Sequence, residues 1–167
     1  TQDDAHILLA KEQITDEVVR IVKLFDEVYS VFGLPYTIEL STIGEKYCPV
    51  MIHRVVFGSI ERLIGVITEH FAGAFPVWLS PVQAVAMPIT DRVNDYAEEV
   101  KAKLNDLGFR EESDLRNEKI GYKIREAQLQ KTPYMLIIGD KEKEAGSVSV
   151  RTRSGVDLGA MLLDEFV

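Results

Sequence analysis

The alternation of short apolar runs with amphipathic stretches in the second half of the chain is the feature that most constrains its fold. Short apolar runs between turn residues are typical of buried strands, and apolar spacings of three and four residues are typical of a helix face. The segments follow one another as strand 82–88, helix 93–107, strand 109–115, helix 120–130, strand 134–138 and strand 147–153. Strands that alternate with helices predict an α/β layer structure with a mainly parallel sheet.

The first half predicts fewer elements. Apolar residues at helical spacing from Ile14 to Phe32 predict an amphipathic helix. Gly33 marks its end, because glycine readily adopts the left-handed cap conformation, and Pro35 cannot continue a helix. The pattern at 36–40 predicts a strand.

The sequence between residues 50 and 81 predicts a strand, a helix and a domain boundary. Residues 50–56 are predicted to form a strand, and after Gly58 helical spacing returns from Ile60 onward. Glycine and proline residues then interrupt any periodic pattern over 73–81. We therefore predict two domains, residues 1–74 and 75–167.

The charge of the chain limits how it can contact nucleic acid. A net charge of −8 over 167 residues argues against generic adhesion to phosphates, which depends on clustered lysine and arginine. The stretch from Arg116 to Lys131 is locally basic. It fits either a local RNA contact or an ordinary solvated helix face.

Apolar runs such as Val82 to Ile89 are far shorter than a membrane span, and no secretory leader pattern follows Thr1. The single Cys48 excludes an internal disulfide framework. These features predict a cytosolic protein with no membrane partner.

A group of polar residues near Thr1 offers candidate metal ligands. Asp4 and His6 lie close together in the sequence, and His53 ends an apolar run. Two imidazoles and a carboxylate can hold zinc, but a histidine in an apolar strand is also a common core residue. Cys48 lies beside Pro49 without a turn pattern, so we do not assign it as a ligand.

Several motifs resemble the threonyl-tRNA synthetase family of class II aminoacyl-tRNA synthetases, in its bacterial form. T-Q-D-D-A-H-I at 1–7 resembles the end of motif 2, and P-V-M-I-H-R at 49–54 with G-S-I-E-R at 58–62 resembles the segment ending in motif 3. The resemblance continues through A-G-A-F-P-V-W-L-S-P-V-Q, D-L-R-N-E-K-I-G-Y-K-I-R-E, P-Y-M-L-I-I-G-D-K-E and V-S-V-R-T-R. It implies part of an antiparallel-sheet catalytic domain followed by an α/β anticodon-binding domain with a mainly parallel mixed sheet.

The resemblance implies roles for residues of the first domain. His6 and His53 match zinc ligands, and Asp4 matches the acceptor for the threonine ammonium group, with Gln2 in the same pocket. Arg62 matches the motif 3 arginine that braces ATP, bound with Mg²⁺. An ion pair with a nearby glutamate is the alternative for Arg62.

The resemblance also implies RNA contacts in the second domain. Asn117, Glu142 and Arg151 match residues that read anticodon bases, whose edges are exposed in single-stranded RNA. The candidates for phosphate contacts are Arg116, Lys119, Lys123 and Arg125. A plain solvated charge is the alternative for each of these four.

The sequence also departs from the family pattern. Only a short run stands at 41–49, where the family has a much longer catalytic segment, and the cysteine zinc ligand and motif 2 arginine have no counterpart. We expect the intact parent to be a homodimeric threonine–tRNA ligase that binds threonine, ATP and threonine tRNA, and the 167 residues alone to be inactive. The alternative is an isolated anticodon-binding module, or an inactive paralogue that binds tRNA without aminoacylation.

Overall fold

The computed structural model describes residues 2–39 and 50–167. The chain forms two compact units, Thr1–Phe71 and Ala72–Val167. The domain boundary predicted between residues 74 and 75 falls three residues after the boundary between these units. The shortened segment predicted at 41–49, with Cys48, lies outside the described residues.

The first unit contains a two-stranded antiparallel sheet and two α-helices. Strand β1 pairs with strand β2, and each strand is followed along the chain by one α-helix. The elements are β1 (Ala5–Leu9), α1 (Ile14–Phe32), β2 (Val50–Arg54) and α2 (Ile60–His70). Gly33 ends α1 in the left-handed conformation, as predicted, and the Ser59 side chain caps α2 by accepting a hydrogen bond from the Arg62 N–H.

The strand predicted at 36–40 is not present at the described residues 36–39. The Tyr36 hydroxyl donates to Asp26, and the Tyr36 ring packs edge-on against Tyr29. The segment therefore folds back against α1 as irregular chain. Alternating side chains are not sufficient for a strand when no neighbouring strand supplies the ladder.

The second unit is a mixed sheet covered by helices. Five strands lie in the order β4-β3-β5-β6-β7. The elements are β3 (Ala84–Pro88), α3 (Asn94–Asp106), β4 (Glu111–Ser113), α4 (Ile120–Leu129), β5 (Tyr134–Ile138), α5 (Asp140–Ala145), β6 (Ser147–Thr152), β7 (Asp157–Leu162) and α6 (Leu163–Phe166). The α/β prediction is confirmed.

The pairing of the strands corrects one detail of that prediction. Among the described strands, β3 pairs in parallel with β4 and β5, whereas β5–β6 and β6–β7 are antiparallel. The sheet is thus half parallel rather than mainly parallel. The connections after β5 are short, and a parallel pairing requires a longer crossover.

Two cores form on opposite faces of this sheet. The larger one packs α3, through residues such as Val100 and Leu104, against Leu136 and Val148. The smaller one packs Ala127 of α4 against Met87 and Met135. Opposite placement of α3 and α4 follows from right-handed crossovers that run in opposite directions along the sheet.

Among the described residues, no helix has both the length and the apolar character needed to cross a membrane.

Candidate metal cluster and nucleic-acid interface

The register of the two-stranded sheet brings three of the predicted site residues together. His6 and His53 are paired across β1 and β2, and their rings stack with centroids 4.4 Å apart. The His53 Nε2 atom lies 3.5 Å from Asp4 Oδ2. One possible ligand atom from each of the three residues lies within 4.8 Å of the others, and all three residues are exposed.

The donor set of this cluster fits a zinc ion. Zinc accepts imidazole nitrogen and carboxylate oxygen, and ligand atoms bound to one zinc ion lie roughly 3.4 Å apart. The spacing of up to 4.8 Å therefore needs only small side-chain rotations to close around an ion. His6 and His53 would hold the metal, and Asp4 lies close enough to bind either the metal or a neighbouring ammonium group.

Asp3 fixes the loop that follows β2. Its carboxylate accepts hydrogen bonds from the backbone N–H groups of Val56, Phe57 and Gly58 at 3.0 to 3.2 Å. Partial burial opposes the negative charge, but these hydrogen bonds together hold the pKa of the Asp3 carboxyl below its ordinary value. Asp3 thereby joins the start of β1 to the turn before α2.

The sequence placed Asp3 near the metal candidates but did not reveal this contact. The sequence feature that could have indicated the contact is Gly58. It adopts a positive φ of 71°, which lets three successive backbone N–H groups point at one carboxylate.

Arg62 lies on the first turn of α2, beside a cleft within the first unit. Its side chain is exposed. The cleft has a volume of about 290 Å³ and is also lined by Tyr36 and Phe57. Gln2 forms a β-bridge with Ser59, the cap of the same helix. Gln2 and Arg62 are therefore both tied to the start of α2.

In the second unit, one of the predicted base-reading residues, Arg151, lies on a face of the sheet. Leu136, Val148 and Val150 belong to the larger core, so the alternating residues point to the other face, where α4 covers β3 and Met135. The uncovered part beside α4 consists of Ile137, Ser149, Arg151 and Ala160. We call these four residues the open sheet face.

Asn117 and Glu142 follow the carboxyl ends of β4 and β5. Asn117 lies exposed in the loop before α4, and Glu142 lies in the first turn of α5. The carboxyl ends of parallel strands are a common ligand-binding edge of α/β sheets. One carboxylate oxygen of Glu142 accepts the Gly139 N–H at 2.9 Å, which leaves the other available to a ligand.

Arg151 lies farther down the sheet than Glu142. It is paired with Met135, four residues before Gly139, so strand geometry places it roughly 13 Å from the carboxyl edge. Its guanidinium donates to Asp157 at 3.2 Å. The Arg151 Nε atom is buried and has no hydrogen-bond partner among the described residues. Arg151 and Glu142 are thus separated along the sheet.

Lys123 does not fit its predicted role as a phosphate contact. The residue is only 2% exposed, and its ammonium group donates to the carbonyl oxygens of Asp114 at 2.8 Å and Pro88 at 3.2 Å. Burial is the main reason that the pKa of the Lys123 ammonium lies below its ordinary value. This prediction was wrong because the charged tail of a lysine looks the same in sequence whether it points outward or inward.

The other three phosphate candidates are exposed, but they differ in their pairing. Arg116 donates to Asp114 and Glu126, and hydrogen bonds to these carboxylates raise the pKa of its guanidinium. Lys119 precedes α4, and Arg125 lies on its outer surface. Arg116 is thus partly neutralised, whereas Lys119 and Arg125 present their charge to solvent.

Comparisons with known proteins show which family the chain resembles along its length. Residues 83–167 match the family described as "Anticodon binding domain". The threonine–tRNA ligase of Acetivibrio thermocellus is 42% identical in an alignment that covers 100% of this chain and 39% of that protein. The threonine–tRNA ligase of Clostridium tetani is 43% identical over 100% of this chain and 38% of that protein.

Among solved structures, the RNA binding domain of threonyl-tRNA synthetase from Cryptosporidium parvum Iowa II matches with a TM-score of 0.83. It is 25% identical, and the match covers 99% of this chain and 61% of that one. The chain spans about two-fifths of the length of the curated relatives it matches.

Proposed function

This chain belongs to the anticodon-binding domain family and is similar along its whole length to threonine–tRNA ligases, and from that premise we propose that it is part of such a ligase. The second unit binds the anticodon loop of threonine tRNA, and the first contributes to the site that activates threonine with ATP. The observation that carries this proposal is the match of residues 83–167 to the anticodon-binding family.

Base recognition is assigned to Asn117, Glu142 and Arg151. An amide, a carboxylate and a guanidinium together can donate to and accept from the exposed edges of single-stranded bases. The Arg151 side chain supports this assignment, because it is 33% exposed and its Nε–H has no acceptor among the described residues. An unsatisfied donor is costly unless a ligand supplies an acceptor. The small Ser149 and Ala160 side chains leave space for bases beside it.

Phosphate contacts are assigned to Lys119 and Arg125, with Arg116 as a weaker contributor. They lie on or beside α4, adjacent to the loop that carries Asn117. Because the net charge of the chain is −8, attraction to RNA depends on this local group.

Threonine selection is assigned to the cluster of the first unit. His6 and His53 would hold a zinc ion, which supplies direct coordination of the amino and hydroxyl groups of threonine. Valine lacks that hydroxyl, so a site built around it rejects valine more strongly than an apolar pocket can. Asp4 accepts from the ammonium group, and Gln2 lines the same pocket.

Arg62 is assigned to ATP, which binds with Mg²⁺. An exposed guanidinium at the first turn of α2, held by the Ser59 cap and the Asp3 contacts, can stabilise negative charge on the phosphates. We also propose that the intact protein is a cytoplasmic homodimer, in line with the family resemblance.

A binding module without aminoacylation activity is the second candidate. The alignment with the Acetivibrio relative extends over 245 residues, 78 more than the 167 of this chain. Some positions of the relative therefore have no counterpart in this chain. A length difference of this kind is expected if part of the catalytic domain is missing. Threonine-dependent pyrophosphate exchange decides between the two: the intact parent should show it, and the 167-residue polypeptide should not.

RNA binding is tested with fluorescently labelled anticodon stem-loops of threonine tRNA, one matched and several with altered anticodons. Arg151→Ala should cost on the order of 1 to 3 kcal/mol for the matched loop and relax discrimination against the altered ones. Arg20→Ala is the matched control, because Arg20 is exposed in the first unit and forms a local ion pair with Glu17. An equal loss for every loop would make Arg151 a phosphate contact instead.

A further inference from the structure

The buried ammonium group of Lys123 connects two segments at the carboxyl edge of the sheet. One acceptor is the carbonyl of Pro88, the last residue of β3, and the other is the carbonyl of Asp114, the first residue after β4. A lysine is rarely buried unless its charge is satisfied. The contact therefore fixes both segments against α4.

Asp114 is held from several sides. Its N–H donates to the Ala86 carbonyl at 2.9 Å, while its own carbonyl accepts from Lys123. Its carboxylate accepts two hydrogen bonds from the Arg116 guanidinium, at 2.7 and 2.8 Å. These hydrogen bonds fix the backbone at Asp114, three residues before Asn117.

A second connection joins the same loop to α4. Arg116 also donates to Glu126, whose other oxygen accepts the Tyr122 hydroxyl at 2.9 Å. Hydrogen bonds to Arg116 lower the pKa of both the Asp114 and the Glu126 carboxyls, so both remain charged at neutral pH. The loop from Asp114 to Lys119 is therefore tied to the helix through Lys123 and through Glu126.

We propose that Lys123 is a positioning residue for anticodon reading: it holds the loop that presents Asn117, and so sets base discrimination without touching RNA. This inference rests on the proposed function of the second unit. A loop that must place an amide within hydrogen-bond distance of one base edge requires a fixed backbone. Lys123 and Glu126 act together in this role although their charges are opposite.

Two variants of the full chain test the proposal, each measured against matched and altered anticodon stem-loops at two salt concentrations. Lys123→Met removes the positive charge but retains the apolar stem, and Glu126→Gln removes a negative charge from a partly exposed side chain. Lys103→Met is the control, because Lys103 is an exposed lysine of α3 paired with Glu99. Thermal unfolding is recorded for each protein.

In both variants, the ratio of altered-loop to matched-loop dissociation constants should fall by a factor of up to about ten. The dependence of binding on salt should stay unchanged in Lys123→Met. A direct electrostatic role predicts the opposite pattern: Lys123→Met weakens all loops alike and flattens the salt slope, while Glu126→Gln strengthens all of them. That pattern, or unchanged discrimination in both variants, would overturn the proposal.

If Lys123→Met does not fold, Glu126→Gln alone decides. If the unmodified chain binds no stem-loop at all, the proposed function fails, and that result is distinct from failure of the positioning role.

Discussion

Glu111 is a buried carboxyl group in the second unit with no evident function. It is only 5% exposed, and neither carboxyl oxygen has a hydrogen-bond partner among the described residues. Burial, reinforced by the negative charge of Glu98 and partly offset by Lys101, raises the pKa of Glu111 to about 8. The residue is therefore largely protonated at neutral pH, and its burial lowers the free energy of unfolding.

Replacing Glu111 with Gln should stabilise the second unit and remove part of its pH dependence. Because the folded pKa lies above the ordinary value of 4.5, the folded state binds more protons, and stability falls as pH rises from about 4.5 to about 8. Above that range Glu111→Gln should gain on the order of a few kcal/mol. Urea unfolding at pH 5, 7 and 9 measures this; Glu112→Gln, an exposed neighbour, is the control.

Asp3→Ala should destabilise the first unit, because three backbone N–H groups lose their shared acceptor. A hydrogen-bonded carboxylate of this kind is typically worth on the order of 1 to 3 kcal/mol. Because the pKa of Asp3 is lowered, its carboxylate stabilises the folded parent near neutral pH. This stabilisation should fade as the pH falls below the ordinary carboxyl range, so the two proteins should then differ less. Parallel urea titrations of both proteins at pH 3 and 7 give the comparison; an equal difference at both would contradict it.

Single residues also show where sequence reasoning stops. The metal candidates Asp4, His6 and His53 were chosen by residue type, and the structure brings them together. Lys123 was chosen in the same way, yet it lies inside the fold. Lys123 shares the core-facing side of α4 with Ile124 and Ala127. Helical spacing therefore indicates an inward position, but only the tertiary structure shows which carbonyl groups satisfy its charge.

At the scale of elements, the β1–β2 register decides whether a metal cluster exists. A shift of one residue would move His53 to the opposite face from His6, because side chains alternate along a strand. The correct register is supported by Asp3, which connects β1 to the turn after β2.

His53→Ala should abolish zinc binding, since it removes one of the two imidazoles of the cluster. In the intact parent, threonine activation should be lost with it. Zinc content is measured by elemental analysis after dialysis. His70→Ala provides the control, because His70 lies at the end of α2 and outside the cluster; equal zinc content in the two variants would show that His53 is not a ligand.

Elements with a clear apolar pattern were predictable, and elements without one were not. Helix α1 matched its predicted span from Ile14 to Phe32, because its apolar spacing and its cap agree. Strand β5 also matched, at Tyr134–Ile138. The six-residue helix α5 and strand β7 were not predicted, since the first has too few turns to show a period and the second is mostly exposed.

At the scale of the whole molecule, the chain divides into two compact units. The larger core contains only residues of the second unit, and the metal cluster contains only residues of the first. The fold class of the second unit followed from its strand and helix pattern. The expectation that the first unit is part of a longer catalytic domain rests on the family resemblance alone, because no local sequence pattern indicates it.

A polypeptide of residues 72–167 should fold alone and bind the matched stem-loop as tightly as the full chain. The reason is that its core and all of the proposed base-reading residues lie within it. Fluorescence anisotropy on both proteins under the same salt conditions provides the measurement. Tighter binding by the full chain would show that the first unit also contributes to RNA affinity.

The two-stranded sheet has a consequence for handling the protein. With only β1 and β2 among the described strands of that sheet, each strand has one edge that no described strand covers. On the exposed face, Leu8 and Met51 are 78% and 56% accessible. Uncovered edges and apolar side chains favour pairing between molecules, so aggregation in concentrated or heated samples should begin in the first unit while the second remains soluble.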